Sequence, residues 1–151
     1  MDPRFTKDKG TEIYTGNELI LKGGLEAGLN LLTGYPGSPV ADVFEAATNA
    51  APYLKQQGIL AQLANNEALS AARLNGAQMA GLRAVTVMKS VGFHVAADAL
   101  VAGSLAKKYH KGAGVIVIGD DPWSDTTQVP VDSRRLSDHL FIPVLEPSTF
   151  Q

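Results

Sequence analysis

The sequence predicts an α/β fold: a mostly parallel sheet of about five or six strands with helices on both faces. Three observations carry this. Stretches with apolar residues at helical spacing alternate with short apolar runs along the whole chain. The short runs, Val115–Ile118 above all, are apolar throughout, as strands buried on both faces of a parallel sheet are. Glycine, proline and asparagine clusters mark the transitions between the two patterns.

The elements follow in order. Asn17–Ala27 reads as a helix with Asn17 as its N-cap and Gly28 closing it. Leu29–Thr33 is a short strand, ended by Gly34-Tyr35-Pro36-Gly37-Ser38-Pro39. Ser38 directly before Pro39 is a helix start, and Val40–Gln57 continues as a helix interrupted at Pro52. Ile59–Leu63 is a second strand. Asn65 or Asn66 then caps a helix to about Ala80, ended by Gly81. Ala84–Met88 is a third strand, Val91–Tyr109 a long helix rich in small residues, and Val115–Ile118 a fourth strand. A loop over Asp120–Val131, a short helix over Asp132–His139 and a fifth strand over Ile142–Leu145 complete the pattern.

The chain has 151 residues and a formal net charge of −2, with 45% hydrophobic residues, enough for one domain with its own core. The near-neutral balance gives no electrostatic footprint for nucleic acid. The absence of cysteine excludes disulfides, thiolate nucleophiles and Cys-ligated zinc or iron–sulfur clusters on these residues. Met1–Gly10 is polar with no apolar leader core, and no run approaches the ~20 residues that a spanning helix needs, so a soluble, cytoplasmic protein without membrane or nucleic-acid partners is expected.

In a parallel sheet ligands bind at the carboxyl ends of the strands. That directs attention to the loops Gly34–Pro39, Ala64–Glu67, Lys89–His94 and Gly119–Val131. No strand leads into G-x-G-x-x-G, and neither a P-loop nor a G-x-S-x-G elbow occurs. His94, His110 and His139 are scattered. Asp120-Asp121 after a strand reads as a solvated turn before Pro122 more readily than as a magnesium site, and no metal site is expected.

The same loops carry a set of motifs in fixed order: Thr33-Gly34-Tyr35-Pro36-Gly37-Ser38-Pro39, Asn66-Glu67-Ala68, Met88-Lys89-Ser90-Val91-Gly92, Val95-Ala96-Ala97-Asp98, Asp120-Asp121-Pro122, Asp132-Ser133-Arg134, and Ile142-Pro143-Val144-Leu145-Glu146-Pro147-Ser148. In this order the chain resembles the N-terminal domain of indolepyruvate:ferredoxin oxidoreductase alpha subunits, members of the thiamine-diphosphate-dependent 2-oxoacid:ferredoxin oxidoreductases. The resemblance runs from about Asn17 to the chain end. It implies a thiamine-diphosphate-binding fold of the pyrimidine type over residues 17–151, continuing beyond the chain end in the full protein, with residues 1–16 a polar extension. It implies oxidative decarboxylation of an aryl 2-oxoacid to an acyl-CoA and CO2. The alternatives on the same fold are a non-oxidative decarboxylase subunit and a non-catalytic interaction module. Magnesium and the diphosphate would be held by another domain or subunit, because no asparagine follows Asn75 to complete a G-D-G…N motif. Iron–sulfur clusters, coenzyme A and a ferredoxin partner would likewise sit elsewhere in an oligomeric complex.

The resemblance also implies site residues. Glu67 would bond N1′ of the aminopyrimidine as the catalytic carboxylate, favouring the imino form of the 4′-amino group that takes the C2 proton. Taken alone, Glu67 reads more readily as a first-turn glutamate at a helix dipole than as a catalytic group. Gly37 and Gly92 would let backbone approach the cofactor, and Phe93 would pack on the pyrimidine ring. Ser38 would face the substrate or serve as a plain N-cap. His94 would face the substrate or act as an acid–base group near neutral pH, or it is an ordinary loop histidine. Pyruvate-specific relatives carry an arginine for the substrate carboxylate a little further on. None occurs here between Arg83 and Arg134, which favours a bulkier aryl substrate. Ala68, Ala71, Ala72, Gly76, Ala77 and Ala80 would form a tight partner interface or pack within the domain. Gln128 and Asp132-Ser133-Arg134 would shape the pocket mouth or an inter-domain contact, and a charged helix N-terminus accounts for Asp132 equally well. Trp123 marks an interface or tucks under its loop. Lys107, Lys108, His110 and Lys111 suit a helix C-terminus.

Overall fold

The computed structural model describes residues 2–106 and 111–149. A short 3-10 helix, Pro3–Thr6, precedes α1 (Gly16–Glu26), β1 (Leu31–Gly34), α2 (Asp42–Asn49), α3 (Ala51–Gln56), β2 (Leu60–Leu63), α4 (Glu67–Met79), β3 (Arg83–Lys89), α5 (Ser90–Leu105), β4 (Ala113–Gly119) and α6 (Ser133–His139). The four strands form one parallel sheet in the order β2-β1-β3-β4.

Side chains alternate across the strands, and so divide between two helical layers. Leu32 and Val87 pack with α1, α2 and α3 through Leu21, Val43, Ala46, Ala47 and Leu54. Leu31 and Ala84 face α4 through Leu74 and Ala77, while Met88 packs with Ala71, Phe93, Ala96 and Leu100. The chain passes from β1 outward to β2, then returns across β1 to β3. This reversal falls between β1 and β3, and the carboxyl ends at such a reversal are where open α/β sheets generally bind ligands.

Local signals set most of the boundaries. Thr15 and Glu18 form a reciprocal capping box at α1, which moves the cap from the expected Asn17 to Thr15. Gly28 and Gly81 take positive φ where α1 and α4 end. Pro52 sits in the first turn of α3, so the expected single helix breaks at Ala50 into two. The Asn66 side chain accepts from the Leu69 backbone N–H at 2.8 Å and starts α4 at Glu67. The expected run of α5 to Tyr109, and with it Lys107, Lys108 and His110, lies outside the described residues.

Three expectations are corrected. The sheet has four strands among the described residues, and Ile142–Leu145 is not one of them. Pro143 lacks a donor for a ladder, Ile142 is drawn onto the α5–α6 core, and Leu145 is 91% exposed. Residues 1–16 are expected as a polar extension outside the domain, but those described pack onto it. Phe5 is buried in the core, and Arg4 bridges Asp2, Glu18 and the Ile13 carbonyl. Ser38 does not cap α2, which begins at Asp42 after Ala41 with no side-chain cap.

One buried group stands out energetically. Thr33 is fully buried and its Oγ1 has no partner. An unsatisfied buried hydroxyl is costly, whereas an apolar isostere is not. Thr33→Val should therefore raise stability by about 1 kcal/mol in denaturant titration, and a loss of that size would contradict the assignment.

Candidate functional site

The candidate site lies where three strands end. The Tyr35 backbone N–H donates to the Val87 carbonyl at 3.1 Å, and Ala64 N–H donates to the Gly34 carbonyl at 2.9 Å. The loops leaving β1, β2 and β3 therefore start side by side. Two long helices, α4 and α5, begin at this rim and pack against each other.

Glu67 is the first residue of α4 and is 8% exposed. Burial of a carboxylate is unfavourable unless something needs it there. Its neighbour is Gly92, in the first turn of α5. A Cβ built on Gly92 would stand 2.7 Å from both Cγ and Cδ of Glu67, with Oε1 nearer still. The missing side chain at Gly92 is thus the space that Glu67 occupies. The side of Gly92 that would carry a side chain is filled by a protein carboxylate.

Gly37 is half-buried against the stem of Lys89, with a virtual Cβ 2.9 Å from Lys89 Cδ. Lys89 ends β3, and its Nζ donates to Gln128 Oε1 at 3.0 Å. Lys89 thereby ties the loop after β1 to the loop after β4. The sequence reading included Lys89 only as part of a motif. Its position directly at a strand's carboxyl end was the available signal.

Ser38 is exposed in the loop after β1 and makes no hydrogen bond with the described residues. His94 is exposed on α5, two residues beyond Gly92. Phe93 points the other way: it is 1% exposed and packs with Ala71, Met88, Ala96 and Leu100. With no open ring face it is a core residue, which corrects its expected place against a pyrimidine. Ser90 opens α5 and is buried, with its Oγ unpartnered.

The acidic loop after β4 is structural. Asp121 accepts from the Asp125, Thr126 and Thr127 backbone N–H groups and from the Thr126 hydroxyl. The Thr126 N–H, first among these, holds its carboxyl below the ordinary carboxylate range. Asp120 bonds the Ser133 backbone and hydroxyl at the start of α6. Both aspartates thus accept hydrogen bonds within the loop, and Asp121 is buried, so the expected solvated turn is corrected at that residue. Trp123 in that loop is 84% exposed, so it is not tucked beneath it. Of the small residues on α4, Ala71 and Ala77 pack within the domain, while Ala72, Gly76 and Ala80 remain on the surface. No helix among the described residues is long and apolar enough to cross a membrane.

Comparison with known proteins places these features in context. No family model matches the chain. The chain is 34% identical over 139 residues to indolepyruvate oxidoreductase subunit IorA of Pyrococcus horikoshii, covering 92% of this chain and 21% of that one. It is 35% identical over 145 residues to the same subunit of Archaeoglobus fulgidus, covering 95% and 23%. The chain thus spans about a fifth of the length of these relatives. Among solved structures, 2-oxoglutarate:ferredoxin oxidoreductase from Magnetococcus marinus, with 2-oxoglutarate, coenzyme A and succinyl-CoA bound, superposes with a TM-score of 0.58 at 25% identity, over 74% of this chain and 18% of that chain.

Proposed function

We propose, from the premise that this chain is a homologue of part of the IorA subunit of 2-oxoacid:ferredoxin oxidoreductases, that it is the pyrimidine-binding half of a thiamine diphosphate site acting on an aryl 2-oxoacid. The observation that carries this reading is the buried carboxylate of Glu67 seated over Gly92 at the carboxyl end of the sheet.

The residues present fit an aminopyrimidine. Glu67 offers a dry carboxylate to a ring nitrogen, and Ser90 offers a buried hydroxyl without a partner at the start of α5. Bound thiamine diphosphate would supply a carbon nucleophile, and its cationic ring would take up the electron pair released when the 2-oxoacid loses CO2. Glu67 would hold a proton at N1′ and so set which tautomer of the ring is present. Gly37 would keep the loop after β1 close to the site. The free hydroxyl of Ser38 would donate to the substrate, and the exposed His94 would face the substrate as an acid–base group.

Lys89 supplies what the missing arginine would otherwise provide. Its ammonium bonds a neutral amide, Gln128, and has no carboxylate partner among the described residues. We assign it to the carboxylate of the 2-oxoacid. Lys89→Met should raise KM for an arylpyruvate roughly 10- to 100-fold with a smaller change in kcat, the loss expected for one charged hydrogen bond. An unchanged KM would remove Lys89 from the substrate site.

In this reading the diphosphate and its magnesium, the iron–sulfur clusters, the coenzyme A site and the ferredoxin contact are contributed by other domains or subunits of an oligomer. The test is the complete subunit assembled with its partners. It should bind thiamine diphosphate with Mg2+ in calorimetry and should reduce a viologen acceptor when given indolepyruvate and coenzyme A. Absence of cofactor binding would overturn the reading. Release of CO2 without acceptor reduction would replace it with a non-oxidative decarboxylase.

A further inference from the structure

The seam between α4 and the sheet changes character along its length. Towards the amino ends of the strands it is apolar, with Leu31 and Ala84 against Leu74 and Ala77. Two residues further along each strand come Thr33 and Thr86, which are register partners on the same face of the sheet. Above them on α4 lies Ser70, and one turn earlier Glu67. Thr33, Ser70 and Thr86 are all fully buried. The Ser70 and Thr86 hydroxyls hydrogen-bond each other across the seam.

Stability does not call for this pair. Two buried hydroxyls satisfying one another contribute little net, and an apolar pair of the same shape would serve as well. What an O–H···O bond adds is direction. Apolar packing tolerates a small slide of a helix over a sheet, whereas a hydrogen bond fails within a fraction of an ångström. A slide of one residue moves a helix by about 1.5 Å. An error of about 1 Å at a reacting group can cost on the order of 100-fold in rate.

We propose that the Ser70–Thr86 pair is a positioning device that sets the height of Glu67 at the site, an inference that rests on the reading of Glu67 given above. Ser70 is three residues after Glu67 on the same buried side of α4, so fixing Ser70 on β3 fixes the first turn that carries the carboxylate. The cost of two hydroxyls in the seam is then a cost of accuracy at Glu67.

The test uses the complete subunit with its partners, loaded with thiamine diphosphate and Mg2+. Ser70→Ala with Thr86→Val removes both hydroxyls and leaves none orphaned. The expected result is an unchanged unfolding midpoint, at least a tenfold fall in kcat and a smaller change in KM for indolepyruvate. The near-ultraviolet circular dichroism that reports the tautomers of the bound aminopyrimidine should shift its pH dependence. Thr86→Ser, which keeps the hydroxyl, should restore both the rate and the spectrum. A double variant with wild-type kcat and spectrum would overturn the proposal. If the double variant does not fold, Ser70→Ala alone carries the test with the same two readouts, and wild-type values there overturn it equally. A failure of the underlying reading looks different: Glu67→Gln would then be active. If Glu67→Gln is inactive while the hydroxyl variants behave as wild type, only the positioning role falls.

Discussion

Glu67→Gln in the assembled enzyme is expected to abolish turnover while leaving most cofactor binding intact. Glutamine keeps the volume of the side chain and one acceptor oxygen, so the contact over Gly92 survives. What it loses is the negative charge that favours a proton at the ring nitrogen opposite. General acid–base contributions of this kind are worth roughly 10²–10⁴-fold in rate. The expected outcome is a fall in kcat of at least that order, with thiamine diphosphate affinity in calorimetry within about tenfold of wild type. Turnover near wild type would remove Glu67 from the chemistry and return it to the role of a first-turn glutamate at a helix dipole.

Gly92→Ala should have the second-largest effect, for a steric reason. The new methyl group would stand 2.7 Å from two carbons of the Glu67 side chain, well inside contact distance. Either the carboxylate is driven out of its place or the first turns of α4 and α5 separate. Overpacking of this kind costs roughly 1–3 kcal/mol. Displacement of the carboxylate should also lower kcat on the order of 100-fold. A control sits on the same pair of helices. Gly103 meets the Asn75 side chain, which donates to the Ala99 carbonyl at 2.7 Å. Gly103→Ala should lower the unfolding midpoint and leave kcat of the folded enzyme unchanged. If Gly92→Ala loses stability alone, with normal kcat, the glycine serves packing rather than the site.

Much of the fold was legible because it is written in local signals. The apolar runs that became β1, β3 and β4, Asn66 before α4, Gly28 and Gly81 after their helices, and Pro52 inside a helical stretch all act within a few residues. Ile142–Leu145 was misread because four apolar residues say nothing about whether a partner strand is available, and Pro143 weakens the ladder further. The N-terminal segment was misread because Phe5 is a single apolar residue in a polar stretch, and one residue has no period.

The site divides in the same way. The sequence singles out Glu67 and Gly92 by their loops, but it does not show their contact, since that depends on two helices starting side by side. Phe93 was placed in the site by proximity along the chain, while the helical turn carries it into the core. Ser70 and Thr86 gave no signal at all. A serine in a helix and a threonine in a strand are ordinary until the strand order lays one over the other.

The contact over Gly92 and the bond between Ser70 and Thr86 share a property with an evolutionary consequence. All four residues lie between Glu67 and Gly92, on α4, β3 and the first turn of α5. The interlocking groups are therefore inherited as one uninterrupted stretch of gene. Recombination with a distant homologue at breakpoints outside that stretch should pass on a working set of partners. A crossover inside it, between α4 and β3, should bring together a carboxylate and a cradle that were never selected to fit.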